Sequence, residues 1–237
     1  MDFMGSIVDD IFLNYGYILI VIAFFYSLFA QFRVNSTFKK YSRTTNKSGM
    51  TGAEVAEMVL RQNGVHNVRV ERVSGNLTDH YDPRTNVIRL SDGVYSATTV
   101  AAAGVAAHEA GHAVQYARGY LPVKLRGAII PVTNIASRLA TPLLILGFFL
   151  DISGLVWLGI FAFSFSVLFQ IITLPCEFNA SRRAMNAIED SGRFTREDQY
   201  GAGKTLKAAA MTYVAAMAVS LLYLLRYVAL ANGRRRR

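Results

Sequence analysis

Cysteine occurs once in these 237 residues and histidine four times, and 25 Lys and Arg face only 16 Asp and Glu. The lone Cys176 makes no intramolecular disulfide, so no cystine framework holds the chain together. Internal repeats and low-complexity stretches are absent apart from the closing run of arginines, Arg234 to Arg237. Charge is scarce as well, at 17% of residues against 52% hydrophobic, and the mean hydropathy of +0.28 is outside what a soluble domain tolerates when the apolar residues gather in long blocks. The shortage of acidic groups leaves a formal net charge of +9 and a pI near 9.8, which suits anionic lipid head groups. The basic residues are scattered beside apolar runs and are not gathered on one segment, which argues against a nucleic-acid partner.

Four apolar blocks are long enough to cross a hydrocarbon core of about 30 Å. Residues 11–32 form the first, uncharged and carrying Tyr15, Tyr17 and Tyr26; it is too long for a signal peptide and lacks a cleavage site. Ile129 to Leu150 is the second, interrupted by Pro131, Arg138 and Pro142, and Leu155 to Leu174 is the third. Only Asp151, Ile152, Ser153 and Gly154 separate these two, so they pair as an antiparallel hairpin over residues 129–174. The fourth is 211–231, with Arg226 near its far end, where a long side chain reaches the interface by snorkelling.

Basic residues set the orientation. Asp2, Asp9 and Asp10 precede the first block, and Arg33, Lys39, Lys40, Arg43 and Lys47 follow it, which places residues 33–126 in the cytoplasm. Arg182, Arg183, Arg193, Arg196, Lys204 and Lys207 put residues 175–210 on the same side. The terminal arginines conflict with this rule. Either the upstream charges outweigh them, or the last helix lies along the membrane, or the run is an addition to the native chain.

Within an alanine-rich stretch, Thr98 to Ala117, stands His108-Glu109-Ala110-Gly111-His112. On a helix, histidines four apart project from one face, so both imidazoles can close on one tetrahedral Zn2+. Glu109 then sits beside the metal, where a carboxylate can take a proton from an acidified water and return it to a leaving amine. With four His and seven Glu in the chain, a shuffled sequence would contain HExxH with probability of roughly 0.002. The small residues of this stretch favour close helix packing, and its charged centre needs water and metal, so it is expected inside the protein rather than across the bilayer.

The polar remainder is small. Thr51-Gly52-Ala53-Glu54 is a capping box opening a helix that Gly64 ends, and Asn67 to Val73 alternates like a half-buried strand. A turn at Asp82 to Asn86 leads into Val87-Ile88-Arg89-Leu90, and a free edge on this segment, Asn86 to Leu90, is expected to pair with an extended substrate backbone. For a third metal ligand Glu177 is the best candidate, because a carboxylate so close to an apolar span is costly unless a cation holds it. His80 is the runner-up; His66, after a helix end, and Glu189 and Asp190, on a polar helix, need no function.

The runs Ala30-Gln31-Phe32-Arg33-Val34, Leu77-Thr78-Asp79-His80-Tyr81-Asp82-Pro83-Arg84-Thr85, Val105 to Ala113 and Glu177-Phe178-Asn179-Ala180-Ser181-Arg182-Arg183-Ala184 together resemble the YugP-like family of bacterial membrane zinc metallopeptidases over nearly the full length. The resemblance implies a gluzincin with His108, His112 and Glu177 as ligands and Glu109 as base. It is more distant to the HtpX-type membrane proteases, whose third-ligand helix carries an aspartate where Ser181 stands. If that aspartate orients a ligand histidine, Ser181 does so as a neutral partner or Asn179 substitutes. His80 or Tyr81 is expected to stabilise the oxyanion.

The sequence thus reads as a mainly α membrane protein of about four spanning helices plus a small α+β zincin-like catalytic region at the cytoplasmic face of a bacterial inner membrane. Its expected activity is zinc-dependent hydrolysis of proteins or peptides near that surface, with a membrane-protein partner or homo-oligomer compatible with its apolar faces. A zinc-containing scaffold and a zinc hydrolase of non-peptide amides remain as alternatives.

Overall fold

The computed structural model describes residues 10–235. Asp2, Asp9, Arg236 and Arg237, used above for orientation, lie outside them. The elements run α1 (Gly16–Tyr41), α2 (Gly52–Gln62), β1 (Arg69–Val73), β2 (His80–Asp82), β3 (Val87–Ser91), α3 (Asp92–Tyr95), α4 (Val100–Ala117), α5 (Leu121–Phe149), α6 (Ser153–Asp190) and α7 (Arg196–Arg235). Helices α1, α5, α6 and α7 are each long and apolar enough to cross a membrane, and the chain is a mainly α membrane protein.

All four helices extend beyond their apolar blocks, α5 starting at Leu121 and α7 at Arg196. Helix α1 continues past Phe32 through Lys39 and Lys40, α6 passes through Pro175 to Asp190 without a break, and α5 contains both Pro131 and Pro142. Proline removes one backbone donor, but in an apolar setting every alternative to the helix would strand more of them. The link between α5 and α6 is as tight as expected. It turns at Asp151, which takes a left-handed φ of 56°, and Ile152 N–H closes back on Gly147 O at 3.0 Å.

The chain divides into two compact units. One comprises Met1–Phe29, Leu125–Thr173 and Thr212–Arg237, and its packing centres on Leu144, Val156, Ile160 and Ala231. Gly147 and Gly159 let the two arms of the hairpin touch, since a Cβ at Gly147 would lie 2.6 Å from Val156 N and one at Gly159 3.0 Å from Leu144 N. In this unit Arg226 does not snorkel. It is 6% exposed, its guanidinium donates to Phe12 O at 3.0 Å and stacks on the Tyr17 ring at 3.6 Å. The missing side chain of Gly16 makes the seat, because a Cβ there would meet Arg226 Nη1 at 2.6 Å. A cation in an apolar helix is tolerable once a carbonyl and an aromatic face replace its water.

The other unit comprises Ala30–Lys124 and Leu174–Met211. Its core joins Val55, Val59 and Leu60 of α2, Ile88 and Leu90 of β3, Ala103, Ala106, Ala110 and Val114 of α4, and Ala184, Ala187 and Ile188 of α6. The capping box is present, with Thr51 Oγ1 accepting from Glu54 N and the Glu54 carboxylate accepting from Thr51 N. The sheet has the order β1-β3-β2, with β1 parallel and β2 antiparallel to β3.

That order corrects the expectation for Asn86 to Leu90. Strand β3 is central, paired on both sides, with Val87, Ile88 and Leu90 fully buried, so it has no free edge to offer a substrate. Asn86 is a turn residue at φ 57° whose side chain donates to Asn67 O at 2.7 Å and accepts from Tyr81 Oη at 2.7 Å. The edge nearest α4 belongs instead to β2, a strand too short to show in the sequence.

Replacing Gly16 by Leu should expel the Arg226 guanidinium and lower stability by about 1–3 kcal/mol, read as a lower unfolding midpoint in detergent. An unchanged midpoint would mean that the arginine seat contributes nothing to the fold.

Candidate metal centre

Helix α4 forms because a run of alanines carries high helix propensity and because Thr99 caps its start, accepting from Ala102 N at 3.3 Å. Its buried face is mostly Ala and Gly, and this permits α6 to pass very close. At Gly111 the passage is tightest, since a Cβ there would lie 2.7 Å from Ala180 O. Any larger residue between Glu109 and His112 would therefore push α6 away, and Glu177, one helical turn before Ala180, with it.

Three donor atoms meet at this crossing. His108 Nε2 lies 3.2 Å from His112 Nε2, and Glu177 Oε2 lies 3.3 Å from the former and 3.5 Å from the latter. A tetrahedral zinc with bonds of about 2.0–2.1 Å separates its ligand atoms by about 3.3–3.4 Å, so the triangle has the size that the ion requires. These residues are the one group of this kind among the described residues. Glu177 is 2% exposed. Burial alone would raise its pKa, but hydrogen bonds from both imidazoles hold it well below the usual carboxylate range. His112 shifts the other way: burial pulls it down, and Glu177 and Glu109 more than offset that.

The far nitrogens of both rings are also engaged. Ser181 Oγ is 3.1 Å from His108 Nδ1, at the position that the sequence singled out. Asn179 touches neither imidazole. Its Oδ1 instead accepts from Gln115 Nε2 at 3.0 Å and from Arg183 Nε at 2.8 Å. Gln115, which the sequence reading passed over, is the partner of His112, with Oε1 3.0 Å from Nδ1. The logic runs in one direction. Cys176 O can only accept, and it lies 2.7 Å from Gln115 Nε2, so the amide oxygen must face the histidine. An amide oxygen cannot donate, so His112 Nδ1 carries a proton, and Nε2, which faces Glu177, is the nitrogen whose lone pair would bind a metal in place of a proton. A glutamine on an apolar helix carries no periodic signal, and its partner is 61 residues away in the chain; only the tertiary crossing reveals it.

Glu109 stays outside the donor triangle. Its Oε2 accepts the backbone N–H of Tyr81 at 3.0 Å, and that amide points away from β3 toward the free side of β2. The Tyr81 ring packs on Tyr116 at 5.5 Å between centroids. Asp79 anchors the start of β2 by accepting from Ser91 N at 2.7 Å and Ser91 Oγ at 2.9 Å. Burial raises its pKa, with Glu109 adding to the effect and the Ser91 bonds opposing it. His80 is not brought into the donor group. Its exposed ring is tied through Nδ1 to Thr78 O at 2.8 Å. His66, Glu189 and Asp190 are exposed, as expected.

A family model described as "Putative neutral zinc metallopeptidase" matches residues 16–232. The chain belongs to this family of zinc metallopeptidases, and zinc is its cofactor. It is also 49% identical over 209 residues to "Putative membrane protease YugP" of Bacillus subtilis (strain 168), covering 88% of this chain and 93% of that protein. No solved structure matches it.

Gln115→Leu removes the acceptor from His112 and should weaken zinc binding by about 10- to 100-fold, measured by competition with a chelating dye. Gln115→Glu keeps the acceptor toward His112 but sets an oxygen against Cys176 O and Asn179 Oδ1, so its affinity should fall between those of wild type and the Leu variant. Equal affinities in wild type and the Leu variant would show that Gln115 only packs.

Proposed function

We propose that this protein is a membrane endopeptidase of the gluzincin type, hydrolysing proteins or peptides close to the cytoplasmic face of the membrane. The observation that carries the reading is the three-donor triangle with a fourth group, Glu109, held beside it and not in it. A zinc site that serves stability alone is closed by four protein ligands, whereas a catalytic one has three. Three are gathered here among the described residues, which favours an enzyme over a zinc-stabilised scaffold.

His108, His112 and Glu177 would hold the metal. Bound there, zinc supplies a Lewis acid that polarises a peptide carbonyl and makes water acidic at neutral pH. The remaining steps belong to the chain. Glu109, aimed by the Tyr81 amide, takes the proton from the attacking water and gives it to the departing amine nitrogen. The outer edge of β2 leaves the Tyr81 carbonyl for an extended substrate backbone, its amide being held by Glu109, whereas β3 has no free edge. Gln115 keeps a proton on His112 Nδ1 and Ser181 holds the His108 ring through its Nδ1, so both rings are oriented before metal or substrate arrives.

Helices α1, α5, α6 and α7 cross the inner membrane in this reading. The cytoplasmic placement of residues 33–126 and 175–210 rests on the excess of Lys and Arg in them.

Glu109→Gln should leave zinc content near wild type while cutting hydrolysis of a fluorogenic peptide by about 10²- to 10⁴-fold. Glu177→Ala, His108→Ala and His112→Ala should each lose metal on dialysis, and His66→Ala should keep it. Full turnover in Glu109→Gln would remove the mechanism, and full zinc occupancy in Glu177→Ala would remove the ligand set.

The orientation is tested separately, in a Cys176→Ser background. Cysteines introduced at Lys47 and Arg193 should be protected from an impermeant thiol reagent outside intact cells, and one beside Asp151 should react. External labelling at Lys47 would turn the protein over.

A further inference from the structure

Two arginines lie within the apolar blocks of the chain, and the structure treats them in opposite ways. Arg226 is seated on Phe12 O and the Tyr17 ring. Arg138, midway along the apolar part of α5, is exposed and, among the described residues, makes no hydrogen bond, ion pair or ring contact. It lies about 17 Å along the helix from Phe149, more than half the depth of a hydrocarbon core of about 30 Å, which is too deep for the snorkelling open to residues at helix ends.

Arg138 is not isolated on its face. Asn134, Ser137, Arg138 and Thr141 stand at spacings of three, four and seven and share one side of α5, and all four are exposed. The buried side, Thr133, Ala140, Leu144 and Gly147, lies about a quarter-turn round the helix, with Leu144 and Gly147 against α6. The rest of the exposed surface is apolar, with Val132, Ile135, Leu139 and Ile145 facing outward as lipid contact favours, so the four polar side chains form a narrow strip to which lipid gives no partner. In hydrocarbon, side chains able to hydrogen-bond hold helices together because lipid gives them no partner, and an ionisable group there marks a pairing site.

We propose that this face of α5 docks a membrane-spanning helix of another protein that carries an aspartate or glutamate at mid-depth, the carboxylate pairing with Arg138 while Asn134, Ser137 and Thr141 supply flanking hydrogen bonds. Charge complementarity selects this occupant over a second copy of the chain. Two copies related by a two-fold axis along the membrane normal would bring their Arg138 side chains to the same depth, where like charges repel. The proposal rests on α5 crossing the bilayer, and it requires nothing of the metal centre.

The probe is a synthetic polyleucine helix with one central Asp, compared with its all-Leu counterpart and with one carrying the Asp at its end. Energy transfer is read to the full-length protein labelled at Ile152→Cys in a Cys176→Ser background, in phosphatidylcholine nanodiscs. The central-Asp helix should bind wild type about tenfold more tightly than the all-Leu helix. Arg138→Leu should abolish the difference, Arg138→Lys should keep part of it, and the end-Asp helix should bind like the all-Leu one. A preference that is absent in wild type, or that survives in Arg138→Leu, overturns the proposal. Loss of the preference in phosphatidylglycerol nanodiscs would assign Arg138 to lipid phosphate, and a wild-type dimer that dissociates in Arg138→Leu would assign the face to a second copy; either result overturns it too. An Arg138→Cys variant should resist aqueous maleimide from both sides. Rapid labelling would overturn the membrane span and the proposal together, whereas protection without peptide preference would overturn the docking alone.

Discussion

The close crossing of α4 and α6 is the constraint on which the site depends. Two helices whose candidate metal donors, His108 and Glu177, are 69 residues apart in sequence must bring backbone nearly against backbone, and a zinc-sized triangle of donor atoms forms only if they do. Gly111, the residue preceding His112, removes the one Cβ that would hold α6 off at Ala180. Gln115, fully buried one turn further on, then ties the same two helices through Cys176 O and Asn179. The residue that organises a ligand is thus also a bolt between the elements carrying the ligands, so the donor geometry is a property of helix packing and not of flexible side chains.

Polar groups in this chain are few, and among the described residues most buried ones have a partner chosen by position, the hydroxyls of Ser42, Thr133 and Thr173 being the exceptions. Asn46 closes its own turn by donating to Met50 O at 2.9 Å, and Asp198 accepts from Lys47 N at 3.0 Å and from Thr195 N at 3.1 Å. Arg226 shows the same principle inside an apolar helix. In a molecule with so little charge, the price of each unsatisfied polar atom is high, and this is what makes an arginine left facing outward informative.

The residues that the structure gathers into the candidate donor group were more legible in the sequence than the fold around them. His108, Glu109 and His112 are legible because their spacing matches one helix face, and Glu177 because an acid so near an apolar run demands a cation. Ser181 was legible only through a motif resemblance. Gln115 was not, since amides occur on apolar helices for many reasons. The apolar blocks located four helices but not their ends: the third block closes at Leu174, yet α6 runs on through Pro175 to Asp190 because apolar surroundings leave the backbone no other way to satisfy itself. Strand β2 is three residues long, below the length at which alternation shows, so the edge was assigned to β3. The error was one of pairing order, which depends on long-range contacts that no local pattern encodes.

The hydrogen bond between the Tyr81 amide and Glu109 has a second effect. An open sheet edge is a template on which a stray strand from another polypeptide can build, and proteins commonly guard such edges with charge or brevity. Strand β2 has both guards: it is short, and its outward amide is already taken by a carboxylate. The residue proposed to move protons in the reaction therefore also blocks unwanted growth of the sheet, and only a chain able to displace that carboxylate can lie along this edge.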